Sequence, residues 1–436
     1  MTKEPGKRPS NAELLARDAE TVLRPWTGSG EPLPIVKAAG CVVSDADGNE
    51  FLDFTSGYFV NNAGHCHPKV VAAATAQLGK VTQVSGRHTT EAQIELSERL
   101  VRSTPKSIGK VFYTTGGSES NEFALKMARK HSGKTDIVCL DNAYHGLTLG
   151  VLGACASEKY RATGGVELPD DFYRLPTAYC YRCPLKKDPQ SCQAECLDGA
   201  AKQIDERRNT AALIAEPIQS VGGLKPPQQW WDRLDKLRKD KGLLLILDEI
   251  QTGVGRTGTM WASEQYGLEP DIMTGGKGLS GGVGSLAVVM ASDEIVESFY
   301  AGTTPTSGGN AVSAAAGAAL LQAIEDEGIL ENCRKMGEYF TKAVLELDDP
   351  WIGDVRFSGL LGGVELVTDR ESKEILPFAA CAALKDRLHA DGMLLTISGM
   401  HKNVLRLQPP LTITAAQLDT FVESLRKNLR LVRTNS

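Results

Sequence analysis

No stretch of this chain approaches the roughly 20 consecutive apolar residues that span a bilayer, and the opening MTKEPGKRPSNAELLARDAE holds no apolar signal core. A basic block is absent too. Lys and Arg number 48 against 54 Asp and Glu, a net charge of −6, which argues against nucleic acid as the main partner. Internal repeats and low-complexity tracts are missing. These absences lead us to expect a soluble, cytoplasmic protein that works on small molecules, with neither membrane nor nucleic acid as partner. The 436 residues exceed one typical core and fit about two domains.

Cysteine, by contrast, is plentiful. Six of the ten are scattered (Cys41, Cys66, Cys139, Cys155, Cys333, Cys381), most in apolar context, and read as buried thiols. The other four, Cys180, Cys183, Cys192 and Cys196, sit in TAYCYRCPLKKDPQSCQAECLDG (177–199) with spacing C-x2-C-x8-C-x3-C. A structural zinc, disulfides and reduced thiols all suit that spacing. Any of them implies a structural or gating role on a surface excursion.

GCVVSDADGNEFLDFTSG (40–57) alternates apolar and polar residues about an Asp-Gly turn, a hairpin signal. Short apolar runs then alternate with amphipathic stretches: DIVCLD (136–141), AALIAEP (211–217), LLLILD (243–248) and LAVVMAS (286–292). Runs apolar on both faces and separated by helices describe an α/β protein with a mostly parallel sheet covered on both sides. Between Glu216 and LLLILD, Pro226-Pro227 starts a helix with Trp230, Leu234 and Leu237 on one face. This βαβ unit puts Glu216 and Asp248 at the C-terminal ends of parallel strands, where open α/β sheets bind ligands. Strand signals at 360–367 and 404–411 and a helix near 415–431 follow. We expect three segments: 1–65 and 313–436 forming a small domain, and 66–312 a large one carrying the insert at 177–199.

Four pieces carry chemistry. Gly116, Gly117 and Ser118 precede a helix and offer backbone N–H groups and a hydroxyl, an anion site. An ordinary turn capped by Ser118 reads the same way. Asp248 ends the most hydrophobic strand, with Glu249 next to it. That carboxylate suits a metal or a ligand cation, or else a solvated loop. Lys277, in DIMTGGKGLSGG (271–282), has glycines on both sides that would admit a carbonyl group, as a Schiff-base lysine requires. A surface lysine is the alternative. Tyr144, before His145, presents a ring that could stack on a planar ligand or face the core. Together, a phosphate cradle, a stacking ring, a carboxylate and a reactive lysine are what pyridoxal phosphate requires.

The motifs GHCHPKVVAA (64–73), GGSESNEFALKMAR (116–129), AYHG (143–146), AEPIQSVGG (215–223), LILDEIQTGVGRTG (245–258), PDIMTGGKGLSGG (270–282), TSGGN (306–310), GLLGGVELV (359–367) and LRLQPPLTIT (405–414) resemble, in order and spacing, the class III aminotransferases. These are subgroup II, omega-type enzymes of the pyridoxal-phosphate fold type I, and the likeness spans nearly the whole chain. It leans towards the alanine–glyoxylate type 2 and dialkylglycine decarboxylase branches. Tyr58, Tyr144 and TSGGN depart from the decarboxylase pattern, however, and speak against decarboxylation. The resemblance implies a large, mostly parallel seven-stranded sheet between helices, plus a smaller α+β domain from both termini.

It also implies roles. Lys277 would form the Schiff base and move protons, Asp248 would pair with the pyridine nitrogen, and Gln251 would lie by the ring's phenolic oxygen. Gly116, Gly117 and Ser118 would bind phosphate, helped by Thr306 of a neighbouring subunit. Tyr144, followed by His145, would stack on the ring. Arg406 would bind the substrate carboxylate, Glu216 would stand at the entrance, and Tyr58 and Phe59 would narrow the pocket. Arg87 and Arg161 are candidates for a second anion contact, or for surface ion pairs. The implied reaction is ping-pong transfer from an amino acid, with an α, β or ω amine, to a 2-oxo acid such as pyruvate, glyoxylate or 2-oxoglutarate. A homodimer or dimer of dimers with shared sites would carry it out. Decarboxylase, racemase and lyase chemistry on the same scaffold are the alternatives.

Overall fold

The structure is a computed structural model that describes residues 8–24, 32–299, 302 and 304–434. Three strands come first: β1 (Ile35–Ala39), β2 (Val42–Asp45) and β3 (Glu50–Asp53). Seven follow: β4 (Lys110–Thr114), β5 (Asp136–Leu140), β6 (Phe172–Leu175), β7 (Thr210–Ala215), β8 (Leu244–Asp248), β9 (Ile272–Gly275) and β10 (Ala287–Ala291). The last six are β11 (Ile352–Ser358), β12 (Leu361–Asp369), β13 (Glu374–Ile375), β14 (Met393–Leu394), β15 (Thr396–Ser398) and β16 (Val404–Leu407).

The middle seven form one sheet, in the order β4-β10-β9-β8-β7-β5-β6. Every pair from β9 to β6 is parallel. β10 runs antiparallel to both β4 and β9. Its sequence, LAVVMAS, is as apolar as the parallel runs, and periodicity carries no information on strand direction.

Alternate residues of the central strands feed two cores. Leu213, Leu245, Leu247 and Met273 pack with Trp231 and Leu234 on one face. Ile214, Ile246 and Ile272 pack with Ala124, Leu125 and Ala128 on the other. The first set of helical residues belongs to Gln228–Asp240, which Pro227 caps as its sequence suggests. The second belongs to Gly117–Ser132. A sheet covered on both faces presents only its strand ends to ligands.

The expected hairpin is β2–β3. Asp45 holds its turn by accepting the Asp47 and Asn49 N–H groups, with Gly48 at φ 92°. β14 joins β3 in parallel, so distant parts of the chain share that sheet. β11, β12, β16 and β15 form a third, antiparallel sheet in which Gly363 of β12 lies opposite Arg406 of β16. No helix among the described residues is long and apolar enough to cross a membrane.

Candidate active site

One edge of the seven-stranded sheet collects the candidate residues. Gly116–Ser118 follow β4, Tyr144 and His145 follow β5, Glu216 follows β7, Asp248 ends β8 and Lys277 follows β9. The strands bearing Lys277, Asp248, Glu216 and Tyr144 are consecutive neighbours, β9-β8-β7-β5.

Asp248 is the most firmly held of these groups. Its Oδ2 accepts Asn121 Nδ2 at 2.7 Å and lies 2.8 Å from His145 Nδ1, and its Oδ1 accepts the Ile250 N–H at 3.0 Å. Asn121 also reaches the His145 carbonyl and accepts the Thr274 hydroxyl. The backbone N–H of His145 meets the Cys155 sulfur, and that thiol donates to the Gly146 carbonyl. His145 therefore acts on Asp248 rather than simply trailing the stacking ring. Its Nε2 is buried without a partner. Glu249 points away and accepts Thr252, Ala262 and Ser263, a structural cap.

Lys277 sits at φ 41°, in the left-handed region. Burial and, after it, the Arg406 cation lower its amine to about 8, against the opposing pull of Asp248 and Glu216. The glycines beside it serve protein packing. A Cβ on Gly276 would meet Ile250 at 3.0 Å, one on Gly278 would meet Asn62 at 2.4 Å, and one on Gly117 would meet Ile250 at 2.9 Å. Ile250 thus presses on the lysine loop and on the helix start together.

Arg406, on β16, lies near enough to Lys277 for its charge to act on the amine. Its guanidinium lies 4.0 Å from the Phe59 ring centre, its Nε has no hydrogen-bond partner, and burial lowers it to about 10. Phe59 belongs to an unusual turn. Ser56, Gly57, Tyr58 and Phe59 all have positive φ, between 44° and 72°. Such a left-handed run costs about 1–2 kcal/mol per non-glycine residue. Asp53 holds it by accepting the Thr55 and Gly57 N–H groups. Arg256 Nη2 donates to Ser56 Oγ, which donates to the Gln408 carbonyl. Tyr58 leans on Phe59, with ring centres 5.2 Å apart. Tyr144 meets Tyr160 edge-on at 5.3 Å.

Glu216 is buried. Its carboxylate accepts the Tyr144 N–H at 3.3 Å and the Ser220 N–H at 3.0 Å, and burial raises its pKa. Gln251 is hydrogen-bonded to Gln408 at 2.7 Å. Gly117 and Ser118 open their helix with N–H groups that lack intrahelical acceptors. Open space surrounds Gly116, and Ser118 Oγ accepts the Leu147 N–H. Thr306 lies apart, on a cavity of about 400 Å³ lined also by Gln83, His88 and Tyr113 and by none of the other candidates. Arg161 Nη1 donates to the Cys155 and Ala156 carbonyls, and its Nη2 lies 3.9 Å from Glu158 in a surface ion pair. Arg87 faces a different cavity, with Lys110 and Thr304. Sequence reading missed Asn121, Cys155, Tyr160 and Gln408. Of these, only Asn121 carried a signal, an amide on the apolar face of a buried helix.

The four insert cysteines are free thiols lining one cavity of about 30 Å³ with Leu185 and Trp230. Among the described residues no group of three or more His, Cys, Asp or Glu side chains is placed to hold a metal ion, so the expected zinc is not supported. The spacing specifies nearness, which is present, but not a ligand geometry. The insert instead docks. Arg182, between the first two cysteines, and Tyr179 both bind the buried Glu365 of β12. Arg356 shares that carboxylate and also donates to the Gly222 carbonyl beyond Glu216.

The site fits pyridoxal phosphate on its own chemistry: a lysine lowered towards neutrality, a fixed carboxylate, an open helix start and an unpaired guanidinium. A family profile described as "Aminotransferase class-III" matches residues 27–429. The chain is 35% identical over 416 residues to the acetylornithine aminotransferase of Methanosarcina mazei, covering 95% of each. It is 35% identical over 405 residues to the leucine/methionine racemase of Thermococcus litoralis, covering 91% of this chain and 90% of that one. The taurine:2-oxoglutarate aminotransferase of Bifidobacterium kashiwanohense, solved with PLP and glutamate, superimposes with a TM-score of 0.92. It is 26% identical, covering 98% of this chain and 99% of that one.

Proposed function

Since the chain belongs to the class III aminotransferases, enzymes that use pyridoxal phosphate, we propose that it moves an amino group from a carboxylate-bearing amino acid to a small 2-oxo acid such as pyruvate, glyoxylate or 2-oxoglutarate in a ping-pong cycle. One observation carries this reading: Lys277, lowered to about 8, stands between the anchored Asp248 and the unpaired Arg406. When bound, pyridoxal phosphate supplies an aldehyde for the amine and a ring that draws electrons from the substrate's α-carbon.

Asp248 keeps a fixed negative charge for the pyridine nitrogen, with His145 and Asn121 preventing its rotation. Gly116, Gly117 and Ser118 receive the phosphate at the helix start, with Thr306 of a second copy completing the cradle, so the working unit is a dimer or a dimer of dimers. Tyr144 stacks on the ring and Gln251 borders its phenolic oxygen. Arg406 binds the substrate carboxylate through its free edge. Lys277, neutral in roughly a tenth of molecules at pH 7 given its lowered value, takes the α-proton and returns it as a general acid. Glu216, Tyr58 and Phe59 line the approach. We also take 66–312 as the cofactor-binding domain, with 1–65 and 313–436 forming the second. The pairing of β3 with β14 supports that union.

Racemisation is the second reading, favoured by the likeness to the Thermococcus enzyme. One experiment separates the two. Single amino acids are added to the purified holoenzyme without any 2-oxo acid. Transamination converts the bound pyridoxal phosphate absorbance stoichiometrically to that of pyridoxamine phosphate. Racemisation, decarboxylation or elimination with the original band intact would sink the proposal.

A further inference from the structure

Tyr160 lies beyond every motif that marked the site. It belongs to a one-turn helix, Glu158–Arg161, that the chain folds back over Tyr144. That fold is firmly built. Arg161 Nη1 donates to the Cys155 and Ala156 carbonyls at 2.9 and 2.5 Å, and Arg174 Nη2 donates to those of Gly153 and Cys155 at 2.6 and 2.7 Å. The Cys155 sulfur in turn meets the His145 N–H behind Asp248. The turn carrying Tyr160 is therefore fixed relative to the carboxylate at the centre of the site.

The Tyr160 ring meets Tyr144 at 70° and stands in the electrostatic field of both Tyr58 and Arg406. Tyr144 likewise feels Tyr58 and Tyr160. Two aromatic pairs thus lie near Arg406: Phe59, 4.0 Å from its guanidinium, with Tyr58 against it, and Tyr160, within reach of its charge, with Tyr144 edge-on. Arg161 and, from β6, Arg174 each direct one guanidinium nitrogen to backbone carbonyl oxygens.

Resting on the proposed amino transfer, we infer that Tyr160 is a specificity-determining residue whose ring reads the donor's side chain, and that the preferred donors are amino acids with uncharged, apolar side chains. Arg406 takes the carboxylate, and the side chain lies between the two aromatic pairs. The rings of these pairs give the second carboxylate of a dicarboxylic donor no ion-pair partner.

The test is the ratio of kcat/KM for leucine to that for alanine, measured on holoenzyme. This ratio does not depend on the fraction of protein correctly folded. In the unaltered enzyme leucine exceeds both alanine and glutamate. Y160A lowers the leucine-to-alanine ratio about tenfold, the discrimination an apolar contact of this size supplies, while Y160F keeps it within about twofold. The absorbance of the bound cofactor stays the same in both variants. An unchanged ratio in Y160A, an equal fall in Y160F, or glutamate as the best donor would overturn the inference. Failure of the amino-transfer reading itself shows separately, as an unaltered enzyme that yields no pyridoxamine phosphate with any donor.

Discussion

The two sides of Lys277 are built on different principles. On the cofactor side, Asp248, His145, Asn121 and Thr274 are buried, come from strand ends and a long helix, and are tied by hydrogen bonds of 2.7 to 2.8 Å. On the substrate side, Tyr58 and Tyr160 are 55% and 38% exposed, come from a left-handed turn and a one-turn helix, and meet their neighbours through ring faces and edges. Directional bonds suit a group whose position must not vary. Shape and stacking suit ligands that differ from turn to turn of the cycle. On the proposed function, the regular sheet would carry the chemistry and irregular backbone the selection.

Substitutions can break or sharpen this contrast. The largest effect falls on the cofactor side: Lys277→Ala should cut turnover about 10³-fold or more, as loss of a general acid–base does, and borohydride should no longer fix the cofactor to the chain. Asp248→Asn keeps the shape and removes the charge. Steady-state rates should drop about 10²- to 10³-fold, with the fold unchanged by circular dichroism.

Crossing to the other side, Arg406→Gln should lower kcat/KM for amino acids about 10- to 100-fold, the worth of a charged hydrogen-bonded pair. It should also reach back across the site. The Arg406 cation helps hold Lys277 down at about 8, so its removal raises that value. Capture of pyridoxal phosphate by apoprotein needs the neutral amine. Its rate should climb about tenfold per pH unit up to pH 8 and then level off, and in the variant the levelling should move to higher pH. Equal midpoints in the two proteins would mean that the sides are electrically independent.

The smallest effect tests the left-handed turn. Gly57→Ala places a methyl 2.3 Å from Asn61 Nδ2 at a positive φ and should cost about 1–3 kcal/mol, seen as a lower melting temperature.

This contrast also explains what could be read from the sequence. Asp248 and Glu216 were legible because an apolar run followed by a helix and a second run dictates parallel strands with aligned ends. Lys277 was legible because a lone cation among glycines after such a run is unusual. The packing need for the glycines was not legible, since their neighbours Ile250 and Asn62 lie 26 and 216 residues from Gly276 and Gly278. His145 on Asp248, Asn121 between them and Tyr160 over Tyr144 are long-range pairings that no local pattern encodes. The direction of β10 went unread, and the spacing of the insert cysteines left zinc, disulfides and reduced thiols open, for the same reason: composition records neither orientation nor geometry.

The turn at Ser56–Phe59 has one more consequence, for the order in which the molecule matures. Left-handed backbone has no local preference for L-residues, so beyond the local hold of Asp53 the turn waits for its distant anchors. These are Arg256 and, 352 residues after Ser56, the Gln408 carbonyl. During synthesis the sheet and its lysine emerge well before Gln408 does. On the proposed function, a nascent chain on the ribosome would hold the groups that take up cofactor before it could present Tyr58 and Phe59 to a substrate, and the last part of the enzyme to take shape would be the part that chooses.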